Sequence, residues 1–129
     1  MSLELQYRKL WLVIGWLIVI AINVGSLYPY VPERIMSGGL DKVWHSGSYA
    51  LLMLWFCMLY DGVRRRILIG IGWALMGLMI EVLQGFSIIR TFDLLDFAAD
   101  VIGISIGGVL MLTPLSRMLL WLESKMRVR

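Results

Sequence analysis

Asp41, His45 and Ser48 stand at i, i+4 and i+7, a spacing that puts three side chains on one face of a helix. Glu81 and Gln84, three apart, share a second face, and Asp93, Asp96 and Asp100 share a third at i, i+3 and i+7. Lys42, Tyr49 and Arg90 lie beside them. These residue types support three chemistries. The first is recognition of an anionic lipid or lipid-linked headgroup. Arg90 offers a fixed fork of donors suited to phosphate and Lys42 a mobile point charge. His45 and Tyr49 would orient sugar or phosphate oxygens, and the carboxylates would hold the basic groups and bind hydroxyls. The binding set on this reading is Asp41, Lys42, His45, Tyr49, Glu81, Gln84, Arg90, Asp96 and Asp100. The second chemistry is hydrolysis or group transfer on such a lipid, with His45 or Glu81 as general base and Asp96 as a further catalytic candidate. The third is a divalent metal held by some of His45, Glu81, Asp96 and Asp100. Hard oxygen ligands would favour magnesium or calcium there, since zinc usually draws more histidine or cysteine. Spacing by itself assigns no metal ligand set and no cofactor.

Simpler roles compete with these. Asp41 at a helix start complements the helix dipole. Glu81 paired with Arg90 or Lys42 would be a structural ion pair. A lone histidine at a helix end is often a hydrogen-bonded packing residue. Asp93 would then face water, and Ser46 and Ser48 would bond their own backbone. The chain carries no GxSxG elbow, phosphate loop, paired-histidine zinc motif or CxxC pair.

The elements that must carry these residues are membrane spans. The 129 residues are 60% hydrophobic and only 16% charged, too little polar surface for a soluble domain of this size. Four apolar runs, at about 10–27, 41–60, 67–86 and 95–113, each approach the ~20 residues a bilayer core requires. They fit one all-α domain over 1–129, a compact four-helix bundle with short connections. The first run follows Arg8 and Lys9 as a signal peptide would, but it exceeds a signal h-region of ~7–15 residues and no small-residue cleavage site follows. It reads as a retained helix. Cys57 and the tryptophans Trp11, Trp16, Trp44, Trp55 and Trp73 read as packing or lipid-facing residues.

Net charge is +3, yet the charges gather at the ends of apolar runs, which argues against nucleic acid as a partner. Under four spans, Arg8, Lys9, Arg64, Arg65, Arg66, Arg117, Lys125, Arg127 and Arg129 fall on one side, and Arg34, Lys42 and Arg90 on the other. The positive-inside rule makes the first side, with both ends of the chain, cytoplasmic. The polar faces then gather at the outer ends of three helices. Each charge there costs roughly 2.5–3.5 kcal/mol on insertion scales, so it needs a partner, water or a task. Together the faces predict a small inward-facing pocket open to the outer leaflet, bringing His45, Glu81, Arg90 and Asp96 together. The inner halves carry no charged relay, which argues against a proton path.

Residues 114–129 read as a separate basic amphipathic helix on the inner surface. Thr113 caps it, Pro114 starts it, and Leu115, Met118, Leu119, Leu122 and Met126 form its apolar stripe with Trp121 near headgroup depth. Gly103 and Gly107 form a small-xxx-small surface for close approach of another helix.

Asp41-Lys42-x-x-His45-x-x-x-Tyr49, then Glu81-x-x-Gln84, then Arg90 with Asp96 and Gly103, resembles the VanZ-like family of bacterial membrane proteins over roughly half the chain. One position departs: members usually carry Asn where this chain has Asp100. The resemblance implies a multi-pass protein of the bacterial inner membrane with a cell-envelope role. The family's namesake is associated with low-level resistance to teicoplanin, so tolerance of glycopeptide antibiotics is the implied context. It supplies no reaction.

Overall fold

The computed structural model describes residues 4–27, 40–86 and 92–127, all helical or in short connections. The described residues form five α-helices: α1 (Arg8–Leu27), α2 (Leu40–Leu59), α3 (Val63–Gly85), α4 (Leu94–Leu110) and α5 (Met118–Arg127). One turn of 3₁₀ helix, Pro114–Arg117, leads into α5. No strand occurs among the described residues.

Helix α2 is the centre of the fold. Leu52 and Cys57 are completely buried and Tyr49 and Phe56 nearly so, because α1, α3 and α4 all pack against this helix. The closest pairing is α2 with α4. Gly103 and Gly107 permit it: a β-carbon on Gly103 would overlap the carbonyl oxygen of Ser46, and one on Gly107 would lie 2.6 Å from that of Ala50. The small-residue surface therefore receives a helix of the same chain. Gly15 on α1 makes comparable room for Trp55, whose indole N–H donates to the Trp11 carbonyl oxygen at 2.9 Å. Trp16, Phe56 and Trp73 stack edge to face on one another. Trp11, Trp55 and Trp73 are thus packing residues, while Trp16 and Trp44 stay half exposed.

The outer surface is apolar. Val13, Leu17 and Ile20 of α1, and Ile67, Ile71 and Leu75 of α3, are all more than half exposed. A broad apolar exterior of this kind marks a membrane-facing surface. Helices α1 and α3 are long and apolar enough to cross a bilayer, with mean hydropathy of 2.3 and 1.9. Helix α4 and the tail reach that standard only together, as a pair bent by 76°, so two or three crossings are supported by length and apolarity. Helix α2 falls short because Asp41, Lys42, His45, Ser46 and Ser48 occupy its first half, where His45 and Tyr49 are buried.

The helix limits follow local chemistry. Gly62, at φ 101°, takes a left-handed conformation open to glycine and starts α3 four residues before the apolar run. The Arg64–Arg66 cluster therefore lies inside the helix. Asp93 caps α4 by accepting from the Leu95 N–H at 2.9 Å. At the other end, Thr113 accepts from Leu115 N–H and Pro114 opens the next turn, as the sequence implies.

Candidate functional site

The polar faces of α2, α3 and α4 meet where α2 and α4 begin and α3 ends. His45 Nδ1 lies 2.8 Å from Asp100 Oδ1, and both side chains are almost wholly buried. Against an ionised carboxylate, which can only accept, Nδ1 carries the proton. In the neutral ring Nε2 then presents its lone pair to the opposite side. Three carboxylate oxygens stand there: Asp96 Oδ2 at 3.7 Å, Asp41 Oδ1 at 3.8 Å and Glu81 Oε1 at 3.9 Å. Two sets of three side chains, Asp41 with His45 and Asp96, and His45 with Glu81 and Asp100, bring donor atoms within 4.8 Å of one another.

Glu81 is completely buried. Its Oε2 accepts from the Asp93 backbone N–H at 3.2 Å, while Oε1 has no hydrogen-bond partner among the described residues. Gln84, one turn further on, turns away from this cluster and donates to the Ser26 carbonyl oxygen of α1 at 2.6 Å. It ties α3 to α1.

Lys42 forms the rim. Its ammonium donates to Asp93 Oδ2 at 2.7 Å and to Asp96, and lies 3.8 Å from Asp41 Oδ2. Its side chain is 36% exposed and that of Asp93 40%, whereas Asp96 is 9% exposed. The Lys42 ammonium, then the Leu95 N–H, hold the Asp93 carboxyl below the usual aspartate range. Asp93 therefore caps a helix, fixes Glu81 and anchors Lys42, well beyond facing water. The Asp-x-x-Asp pattern from Asp93 to Asp96 at a helix start was the available sequence signal.

Tyr49 borders the same space. A β-carbon on Gly77 would sit 2.7 Å from Asp100 Oδ2 and 3.3 Å from the Tyr49 hydroxyl, so that glycine keeps room for both groups. Of the sequence-derived set, Asp41, Lys42, His45, Glu81, Asp96 and Asp100 come together, Tyr49 adjoins them and Gln84 does not. Arg90 lies outside the described residues. The balance is acidic: Asp41, Glu81, Asp93, Asp96 and Asp100 surround one ammonium and one imidazole.

A second polar centre, absent from the sequence reading, lies at the opposite end. Glu123 of α5 is almost completely buried and accepts from the backbone N–H groups of Gln6 and Tyr7 at 2.8 and 2.9 Å. The indole of Trp11 donates to it as well, at 2.8 Å. Burial raises the carboxyl's pKa, but these donors and Arg127 outweigh it and hold the group below the usual glutamate range. The lone acid in a basic amphipathic tail, one turn after Leu119, was its only sequence signal.

Searches against protein-family models, characterised proteins and solved structures returned no match to this chain.

Proposed function

We propose that this chain is a VanZ-like integral protein of the bacterial inner membrane that crosses the bilayer through α1–α4, with both described ends of the chain cytoplasmic. On this reading α5 lies on the inner surface, and the protein binds an anionic lipid or lipid-linked headgroup at the outer end of the bundle. One observation carries the reading. Helices α2, α3 and α4 deliver a cluster of buried ionisable groups to a single end of a fold with an apolar exterior, and Lys42 stands at its exposed rim. Charges of this kind at membrane depth are costly and serve a bound polar ligand or a reaction. The resemblance of the three motifs adds support, and glycopeptide tolerance is the biological context it suggests. The test is binding of the purified protein to nanodiscs of phosphatidylglycerol against phosphatidylcholine. Saturable preference for the anionic lipid is expected, reduced in Lys42→Ala. Equal retention by both lipids in parent and variant would refute the headgroup reading.

The His45–Asp100 contact favours a second reading, a membrane enzyme acting on such a lipid. A histidine fixed through Nδ1 leaves Nε2 free to take a proton from water or a hydroxyl. Release of a labelled headgroup by the parent and not by His45→Gln would establish it.

A further inference from the structure

We infer that the outer polar cluster is a divalent-cation site, with Nε2 of His45 and carboxylate oxygens of Asp41 and Asp96 as its core ligands and Glu81, whose Oε1 also faces Nε2, beside them. The inference deepens the headgroup reading and rests on it only for the ligand that completes the coordination. It starts from what lies opposite Nε2. With Nδ1 committed to Asp100, a lone pair faces three carboxylate oxygens 3.7–3.9 Å away. Those distances are too long for a hydrogen bond from a second ring proton. The lone pair of a neutral ring and the carboxylate oxygens around it repel unless positive charge lies among them, and among the described residues the Lys42 ammonium pairs with Asp41 and Asp96 but not with Glu81.

The spacing suits an ion. Donors sharing a cation at about 2.0–2.3 Å stand roughly 3–4 Å apart, depending on the angle at the metal. Glu81 supplies the independent sign of a missing partner. It is completely buried, its Oε1 has no hydrogen-bond partner among the described residues, and that oxygen is the one directed at His45 Nε2. The supporting shell is also in place. Asp100 orients the imidazole as carboxylates do behind metal-bound histidines, and the Asp93 N–H holds the second oxygen of Glu81. One nitrogen among several carboxylate oxygens suits Mg²⁺ or Mn²⁺ better than zinc, which favours nitrogen and sulfur.

A bound cation also resolves a conflict in the proposed function. So acidic a cluster repels phosphate directly, whereas a metal with open positions attracts it. Lys42 at the rim would then bind the outer phosphate oxygens.

His45 is the sole histidine of the chain, which gives a direct readout. The experiment titrates untagged, chelator-stripped protein in lipid-free detergent with Mn²⁺. It follows free ion by electron paramagnetic resonance and bound ion by its nitrogen modulation. One Mn²⁺ per chain with an imidazole nitrogen coupling is expected. Glu81→Gln and Asp41→Asn should each weaken binding about ten-fold or more, and Asp100→Asn about 10–100-fold, as for supporting carboxylates elsewhere. Asp61→Asn, an exposed acid beyond the far end of α2, should leave binding unchanged. Bound Mn²⁺ without nitrogen coupling, or undiminished affinity in Glu81→Gln, would overturn the inference. The parent's nitrogen signal decides alone if the variants do not fold. The headgroup reading is judged separately in nanodiscs. Mn²⁺ binding without anionic-lipid preference would remove that reading and keep the cation site. Lipid preference in protein that takes up no Mn²⁺ would do the reverse.

Discussion

The indole nitrogen of Trp11 lies 2.8 Å from Oε1 of Glu123, so the first helix and the tail of the chain are joined through one buried carboxylate. Oε1 also accepts from the Tyr7 N–H, and Oε2 accepts from the Gln6 N–H. The N–H groups at a helix start have no partner within the helix, and an anion there also meets the favourable end of the dipole. Glu123 satisfies both requirements for α1 from more than a hundred residues away.

Replacing Glu123 with Gln is therefore expected to lower stability by about 1–3 kcal/mol, because an amide NH₂ would confront N–H donors. The parent should also lose stability in acid. The folded carboxyl titrates below its unfolded counterpart, so the contribution is fully present above the usual glutamate value of about 4.3 and disappears as pH falls through the lower folded value. Thermal unfolding in detergent from neutral pH downwards should show a fall in the parent that is smaller in Glu123→Gln. Parallel profiles would show that Glu123 does not titrate with folding.

Gly103→Ala is expected to force α2 and α4 apart, since the added carbon overlaps the Ser46 carbonyl oxygen, which belongs to backbone and cannot swing aside. A cost of about 1–3 kcal/mol is the ordinary penalty for overpacking. Gly108→Ala, whose added carbon would come no closer than 3.8 Å to Met53, should be tolerated. Thermal midpoints of the two variants separate the cases; equal midpoints would mean that the helices yield at this crossing.

Much of this was legible from the chain. Long apolar runs fix where helices lie because a bilayer-length helix needs about 20 residues, and α1 and α2 end within a residue or two of the expected runs. Helix α3 begins earlier because Arg64–Arg66 are good helix formers following a glycine turn, and hydropathy does not register helix propensity. Apolar runs alone imply four spans, whereas α2 is protected by its neighbours and α4 stops at Leu110. Helical periodicity brought Asp41, His45, Glu81, Asp96 and Asp100 to one end, but periodicity does not set rotation around a helix. Gln84 shares a face with Glu81 and still reaches α1. The space kept by Gly77 and the capping by Glu123 depend on contacts far apart in sequence; no local pattern announces the first, and only a lone acid in a basic tail marks the second.

Gly77→Ala tests whether the space beside Asp100 matters to the site. The added carbon would lie 2.7 Å from Asp100 Oδ2, so the carboxylate must shift and His45 with it. Helix propensity favours Ala over Gly by up to about 1 kcal/mol and offsets part of the strain. Anionic-nanodisc affinity should therefore fall more than stability does. Gly72→Ala, with nothing within 4 Å of the added carbon, should match the parent in both measurements. Unchanged affinity in Gly77→Ala would remove Asp100 from the site's working geometry.

The proposed four-crossing topology is open to a direct test. A fluorescent protein that is dark outside the cytoplasm should be bright when fused after Arg129 and dark when inserted after Gly39. The positive-inside rule places nine of the twelve Lys and Arg residues on the cytoplasmic side. The reverse pattern would invert the orientation and put the His45 cluster at the inner face.

Lys42 separates a structural ion pair from a ligand-binding cation. Its pairs with Asp93 and Asp96 lie at the rim, where lysine and Asp93 are each more than a third exposed. The exposed pair with Asp93 contributes about 0–1 kcal/mol, but Asp96 is buried and loses a partner, so Lys42→Met should lower the thermal midpoint in detergent modestly. It should also lose preference for phosphatidylglycerol over phosphatidylcholine nanodiscs, because the only described cation at the mouth of the site is gone. Lys42→Arg is the sharper variant. It keeps the charge but replaces a compact ammonium with a planar fork, so binding should be partly retained. A large stability loss in Lys42→Met with full lipid preference in the surviving folded fraction would show that Lys42 only neutralises Asp93 and Asp96. The headgroup reading would then have to stand without it.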